Sequence, residues 1–418
     1  LLYSAFTYYL GFKVNSAEYK VMGLAPYGKP IYYDKVRELI DIKDDGSFTL
    51  DMKYFPYTRD LRMINEKFEN LFGHPTYPRE GRPTQHQMDV AASIQAVTDE
   101  VMLKLAKSLH ERTGMKNLCL AGGVSLNCVA NGHILRQGLY DDIWIQPAAG
   151  DAGGAVGVGF VIWNQLLGHP REFVMKHAYY GPGYSTESIR SFMDSVGAKY
   201  REFERADLLQ ETARLIEAQN VIGWFQGRME FGPRALGSRS IIGDARSADM
   251  QDTMNLKIKF RESFRPFAPC VRRNRVADYF ELDTDSPYML LVAPVRAALR
   301  RPLPPELRGL DMLKAERSTL PAITHVDYSA RIQTVDPVRF PLLDALLERW
   351  ERATGCPVLI NTSFNVRGEP IVESPEQAWL CFMRTNMDYL LLGNCLLEKK
   401  EQQPLDRDID WLREFELD

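Results

Sequence analysis

Three arginines, Arg228, Arg234 and Arg239, recur five and six positions apart in GRMEFGPRALGSRSI, residues 227–241. A guanidinium is a planar fork that meets phosphate oxygens two at a time. Repeated among glycine, proline and apolar residues, it predicts a pocket for a phosphorylated small substrate. Further along, NLKIKFRESFRPFAP (255–269) adds Lys257, Lys259, Arg261 and Arg265, and HVDYSARIQTV (325–335) adds Arg331. NTSFN (361–365) brings Asn361, Ser363 and Asn365, whose amides and hydroxyl supply neutral hydrogen bonds. Arg234 and Arg265 lie among Pro, Phe and Gly, where an unpaired charge is costly to bury. Each needs a carboxylate or an anionic ligand, and the ligand is the preferred reading. Lys259 and Arg261 also fit a solvated face. His325 stands out among isolated histidines because Arg331 follows it in the same segment, whereas His177 reads as structural.

A second kind of chemistry is written in glycine. LAGGVSLNCVAN (120–131) and PAAGDAGGAVGVG (147–159) each set two adjacent glycines between a strand and a helix. Glycine allows close backbone approach, and the N–H groups at a helix start suit phosphate. Two such turns in tandem favour a nucleotide cleft over simple helix-on-strand packing. Neither matches the P-loop or the dinucleotide fingerprint. Asp151, inside the second turn, reads either as a helix cap or as a cation ligand. No G-x-S-x-G elbow or cysteine with a nearby base supports covalent catalysis.

The elements that must position these groups alternate. An amphipathic helix over 88–114 ends at Gly114, and NLCL follows as a short strand. A helix in SLNCVANGHILRQG and a second strand–loop–helix unit in DDIWIQPAAGDAGGAVGVGFVIW continue the pattern, which indicates an α/β fold. Pro and Gly cluster over 166–189, a boundary between two domains at 172/173. A helix over 206–219, the strand VIGWF, a helix over 341–354 and the strand CPVLIN are expected beyond it. Residues 296–322 read as an exposed excursion.

Composition limits the partners. The 418 residues carry a net charge of −4, with 45% hydrophobic and 25% charged residues, as expected of a folded globular protein of two or three domains. An acidic balance gives no support for nucleic-acid binding through bulk charge. No stretch approaches the roughly 20 apolar residues that span a bilayer, so no membrane partner is expected. Six scattered cysteines without a C-x-x-C pair suggest buried free thiols and a cytoplasmic setting. LLYSAFTYYLGF reads as the middle of a domain and not as a signal peptide.

With EYKVMGLAPYGKP (18–30), AGGVSLNCVANGHI, AAGDAGGAVGVG, GRMEFGPRALGSRSI, FRESFRPFAP and NTSFNVRGEPIV in this order, the chain resembles the O-carbamoyltransferases, both the nodulation type and the antibiotic-tailoring type. The resemblance runs from the first residues to about residue 400. It implies an actin-like ATPase domain of the ASKHA type over 1–172, incomplete at its start, and a YrdC-like α/β domain over 173–418. The implied reaction has two steps. Carbamoyl phosphate and ATP give carbamoyladenylate, phosphate and pyrophosphate, and the carbamoyl group then passes to a hydroxyl of a sugar or natural-product acceptor, releasing AMP. The resemblance assigns Lys257, Arg265, Arg331 and Ser363 to carbamoyl phosphate or its products, with Arg228, Arg234, Asn361 and Asn365 in support. It assigns Gly122, Gly123, Asn127, Gly153 and Gly154 to nucleotide, Lys20 to the transfer site and Asp151 to a metal, Fe2+, with Mg2+ accompanying ATP. It also places an H-x-x-x-H metal element upstream of the position matching Leu1, and no such pair occurs among the seven histidines. Acceptor selection is expected in loops over 51–87, with Tyr54, Tyr57 and Tyr77 as a stacking surface.

Two rival readings fit part of the pattern. A sugar kinase of the actin-like fold explains the glycine turns but leaves the later arginines without a role. A non-catalytic nucleotide-binding module explains neither the arginines nor the polar strand ends.

Overall fold

The computed structural model describes residues 1–79, 81–260 and 264–405, with the side chains of all but Lys257 and Lys314. Its strands fall into three sheets. Two are pairs, antiparallel β1 (Ile40–Ile42) with β2 (Phe48–Leu50), and parallel β3 (Asn117–Leu120) with β4 (Asp142–Ile145). The third is a nine-stranded mixed sheet. It is built from β5 (Arg201–Glu202), β6 (Ile222–Phe225), β7 (Arg239–Asp244), β8 (Ala268–Arg272), β9 (Leu291–Pro294), β10 (Ser329–Val335), β11 (Val358–Ser363), β12 (Tyr389–Leu392) and β13 (Cys395–Glu398), in the order β5-β13-β12-β6-β7-β11-β8-β10-β9. β10 runs parallel to β8 and β12 parallel to β6, while the other pairings are antiparallel. The expected α/β class is therefore met by a mixed sheet.

Two large apolar cores and a small cluster of Ala106, Leu118, Ile134 and Tyr140 hold the described residues together. The larger covers the nine-stranded sheet, where β6 and β7 are buried along their whole length. The apolar run of β6 belongs to a strand covered on both faces, and β7 is as deeply buried although it carries Arg239, Ser240 and Asp244. One cover is the helix Pro341–Thr354, which buries Leu343, Leu346, Leu347 and Trp350 on one stripe. Proline at its start pre-sets φ and Gly355 stops it at φ +74°. The smaller core gathers Phe6, Tyr9, Phe68 and Phe72 of the first 101 residues in edge-on ring contacts, and Phe264 and Val326 of the later chain join it.

The long helix of the first half covers Gln85–Thr113 and starts three residues before its apolar period does. Thr84 and Gln87 exchange side-chain and backbone hydrogen bonds there, a capping box that extends the helix backwards. The excursion over 296–322 is exposed only in part. Arg317 is buried at its end, donating to the carbonyls of Met312, Ala315 and Thr324, and Leu320 and Ala322 enter the large core. The helix Ala152–Phe160 and the turn of π-helix after it bury no residue and present Val158, Phe160, Ile162 and Trp163 outward. No helix among the described residues is long and apolar enough to cross a membrane.

Candidate active site

A cavity of about 470 Å3 opens where the ends of β8, β10 and β11 meet the first half of the chain. Its size is within the ordinary range for a small-molecule site. Residues 325–331 and 361–365 supply one wall, Arg234 and Arg265 a second, and Lys13, Tyr19, Lys20 and Cys128 of the first half a third. Strand alternation sets what faces inward. Asn361 and Ser363 share one face of β11, as Ser329 and Arg331 share one face of β10. Between them on β8 lies Ala268, paired with Asn361 and small enough to leave the space open.

Cations dominate the lining. Lys13, Lys20, Arg234, Lys259, Arg265, Arg331 and Arg367 face Asp327 and Glu369, the two carboxylates of the wall. Arg234 and Arg331 stand close enough to disturb each other. Burial first, and then repulsion by Arg331, lowers the Arg234 guanidinium to about 9. Burial likewise lowers Arg331. No described carboxylate bonds either group, and Arg234 Nε is buried without a hydrogen-bond partner. Two guanidiniums held together without a counter-charge form a site for an anion with more than one oxygen.

Among the described residues, Lys259 is the lysine that reaches Ser363. The sequence left Lys259 as a candidate for a solvated face, yet it is 2% exposed. Its Nζ donates to the Ser363 carbonyl, to Asn365 O at 2.9 Å and to Asn365 Oδ1 at 2.7 Å, and lies 3.3 Å from Ser363 Oγ. The Ser363 hydroxyl in turn donates to Asn365 Oδ1 at 2.7 Å. These contacts fix the strand end that carries Ser363. The side chain of Lys257 and the whole of Arg261 lie outside the described residues.

The opening motif divides its arginines. Arg234 lines the cavity, and the other two hold backbone. Arg228 is exposed and donates to the carbonyls of Tyr180 and Gly181, both at 2.9 Å. Arg239 is fully buried over the Phe225 ring at 3.6 Å and donates to carbonyls of Pro182, Gln226, Gly227 and Glu373. Burial lowers it to about 10. Glu230, which the sequence reading passed over, shapes the loop between them. Its Oε1 accepts from the backbone N–H of Leu236 and Ser238, each at 2.7 Å, and burial raises its carboxyl.

The glycine turns form a separate surface. Because β3 and β4 are parallel neighbours, their C-terminal ends coincide, and Gly122 N donates to Ala149 O at 2.8 Å. Gly122 and Gly123 thus lie beside the turn carrying Asp151, Gly153 and Gly154. At Gly122 the φ of +97° requires glycine, and at Gly153 a Cβ would meet Ala148 O at 2.2 Å. Asn127 caps the next helix through Ala130 N and exchanges hydrogen bonds with Gln95. Lys20 belongs to the cavity instead, 1% exposed and with its Nζ over the Phe12 ring.

Asp151 precedes its helix without capping it through the side chain. Among the described residues no three His, Cys, Asp or Glu side chains gather where a metal ion could sit. Asp151 is exposed and by itself supplies one of the several ligands a metal needs. The stacking surface expected in 51–87 is also revised. Tyr54 and Tyr77 are buried, and the Tyr77 ring is stacked on His74 at 3.9 Å and hydrogen-bonded to His86. Five of the six thiols are buried and all are free, with Cys119 exposed.

Family models for the carbamoyltransferase N-terminus and C-terminus match residues 1–160 and 213–399. An uncharacterised protein of Synechocystis sp. is 56% identical over all of this chain and 70% of its own length. The nodulation protein NolNO of Sinorhizobium fredii is 37% identical over 97% of this chain and 56% of its own. The chain therefore spans between about half and 70% of the length of these relatives. A crystal structure of full-length HypF, with phosphate and nucleotide bound, has a TM-score of 0.30 and 16% identity over 45% of this chain and 25% of that one, too distant to carry an argument.

Proposed function

The chain belongs to the carbamoyltransferase family, and on that premise we propose that it is an ATP-dependent O-carbamoyltransferase. Carbamoyl phosphate and ATP form carbamoyladenylate in the cationic cavity, and the carbamoyl group then passes to a hydroxyl of a sugar or other natural-product acceptor. The observation that carries this reading is the pairing of Arg234 with Arg331, two guanidiniums without a carboxylate.

The chemistry needs such a pair. Both reactants are anions, and bringing them together costs Coulomb energy that preorganised guanidiniums offset. Arg234 and Arg331 take phosphoryl oxygens, and Arg265 extends the positive wall. Asn361 offers something different. Its Nδ2 donates to Gln333 Oε1 at 2.7 Å, and its Oδ1 is buried without a partner. That acceptor suits the NH2 of a carbamoyl group, whose amide would otherwise enter the site unsatisfied. Ser363, held by Lys259 and Asn365, contributes a hydroxyl at the strand end.

Lys13, Tyr19 and Lys20 bring the first half of the chain to the same cavity. In the proposed division, residues 173–418 make the adenylate and residues 1–172 transfer its carbamoyl group. A shared wall shortens the path of a hydrolysable intermediate. The adjacent turns at Gly122 and Gly153 are proposed to hold nucleotide on the transfer side.

The experiment is pyrophosphate release from ATP, with and without carbamoyl phosphate, by this chain and by Arg331→Ala. Release that requires carbamoyl phosphate and falls at least 100-fold in the variant is expected. ADP in place of AMP identifies a sugar kinase instead, and release that ignores carbamoyl phosphate sinks the proposal.

A further inference from the structure

His325 is 6% exposed in the wall of the cationic cavity, on the turn that leads into β10 and Arg331. That turn is closed by His325 N donating to Ser329 O at 2.8 Å and Tyr328 N donating to His325 O at 3.0 Å, with Tyr328 at φ +64°. A residue other than glycine at positive φ is sparsely populated and persists where its surroundings fix it. Asp327 adds a second tie, accepting from Ser329 N at 3.0 Å and Ser329 Oγ at 2.7 Å.

The imidazole is buried, with Asp327 on one side and an aromatic ring against it. Nδ1 lies 3.5 Å from Asp327 Oδ1, and the Tyr27 ring meets the imidazole edge-on at 5.2 Å. Tyr27 is itself tied down, its hydroxyl donating to Phe264 O at 2.9 Å. Neither Nδ1 nor Nε2 has a hydrogen-bond partner, and both are buried. Burial alone would raise the Asp327 carboxyl, but its contact with His325 and its hydrogen bonds from Ser329 bring it down to about 2. Asp327 is thus an anion throughout the working range, placed beside Nδ1 of the ring. A buried imidazole with no hydrogen-bond partner, in the wall of the cavity that Arg234 and Arg331 also line, calls for a role in the chemistry.

The proposed reaction supplies one. Release of both phosphate and pyrophosphate from one carbamoyl phosphate and one ATP consumes one water. We propose that His325, with Asp327 beside its Nδ1, is the general base that activates this water. A water oxygen attacks the phosphorus of carbamoyl phosphate, the P–O bond to the carbamoyl group breaks, and carbamate leaves with the electron pair. The water proton passes to His325 Nε2, so that carbamoyl phosphate (2−), water and neutral imidazole become carbamate (1−), hydrogen phosphate (2−) and imidazolium. Carbamate then displaces pyrophosphate from ATP, and the imidazolium returns its proton to the solvent as products leave.

This assignment rests on the reading that carbamoyl phosphate and ATP react in the cavity, and its test keeps the two apart. Single-turnover release of phosphate and pyrophosphate is followed for the unaltered chain, His325→Asn and His325→Gln, alongside the Kd of inorganic phosphate by calorimetry. Asn and Gln fill the space and hydrogen-bond but accept no proton. Both variants are expected to lose about 100-fold or more in rate, the usual weight of general base catalysis, with phosphate Kd within about threefold of the parent. A smaller loss in either variant, or a phosphate affinity that falls in step with the rate, overturns the assignment. Silence from the unaltered chain overturns the underlying functional reading instead.

Discussion

Arg265 Nη1 donates to the hydroxyl of Tyr19 at 2.8 Å, across 246 positions of sequence, and its guanidinium lies 5.0 Å from the centre of the same ring. The contact ties a helix of the first half to the cation wall of the second. Tyr19→Phe keeps the ring and removes the hydroxyl. A hydrogen bond to a charged group is worth about 1.5–3 kcal/mol, so carbamoyl phosphate-dependent pyrophosphate release should fall roughly 10- to 100-fold. The melting temperature should stay within about 3 °C, since the ring still packs. An unchanged rate would mean that Tyr19 does not position Arg265.

Arg234 and Arg331 make an opposite pair of demands on stability and binding. Without ligand they repel each other, so removing one relieves strain. With phosphate bound they share its charge. Inorganic phosphate at a hundredfold its Kd should stabilise the parent chain by about 2.7 kcal/mol. Arg331→Ala and Arg234→Ala should lose that gain while being no less stable than the parent in phosphate-free buffer. Calorimetric melting with and without phosphate checks both halves of the expectation, and a variant strongly destabilised without phosphate would contradict the repulsion.

Much of this arrangement is visible in sequence because it depends on local pattern. The helix Pro341–Thr354 was bounded by Pro341 and Gly355 and filled by an apolar stripe, and its ends match the expectation. Arg331 and Ser363, which the resemblance assigned to carbamoyl phosphate or its products, both line the cavity. Arg234 and Arg239 could not be told apart in the same way. Both are arginines among glycine and serine, and only the fold decides that carbonyls of Pro182, Gln226 and Glu373 converge on Arg239. The burial of Lys259 is equally nonlocal, set by Ser363 and Asn365 more than 100 positions away. The capping box that lengthens Gln85–Thr113 was, by contrast, readable as T-x-x-Q and was passed over.

Gly132 marks where the first half braces the strand next to Arg331. A Cβ there would meet Val292 O at 2.2 Å, and Val292 pairs with Arg331 in the β9–β10 register. Arg136 Nη1 donates to the same carbonyl at 2.9 Å, and Asn131 Nδ2 to Leu290 O at 3.1 Å. Backbone does not yield as a flexible side chain would. Gly132→Ala should therefore cost about 1–3 kcal/mol of stability and weaken phosphate binding by displacing Arg331. Gly159→Ala has open space at the Cβ and serves as the control, expected to leave phosphate affinity unchanged. If Gly132→Ala matches this control in both measurements, the two halves do not press together at that point.

Lys399 gives a prediction in pH. Its Nζ donates to Phe382 O and lies 4.2 Å from the Phe382 ring centre, and burial lowers it to about 8. In the unfolded chain a lysine titrates near 10.4. Between these values the unfolded chain holds a proton that the folded chain lacks, so stability rises with pH across that window. Below pH 8 both states are protonated and the cost of the buried charge is present in full. Lys399→Met keeps the apolar stem on the Phe382 ring, and Phe382 O retains the Thr385 hydroxyl as a donor at 3.2 Å. The variant should therefore be more stable than the parent at pH 7, by about 1–2 kcal/mol after allowing for screening at its partly exposed flank. That advantage should shrink as pH rises from 8 towards 10. Urea denaturation of both proteins at pH 7 and pH 9.5 measures the difference. A variant less stable at pH 7, or an advantage that does not change with pH, would show that the ammonium of Lys399 contributes more by its hydrogen bond than its burial costs.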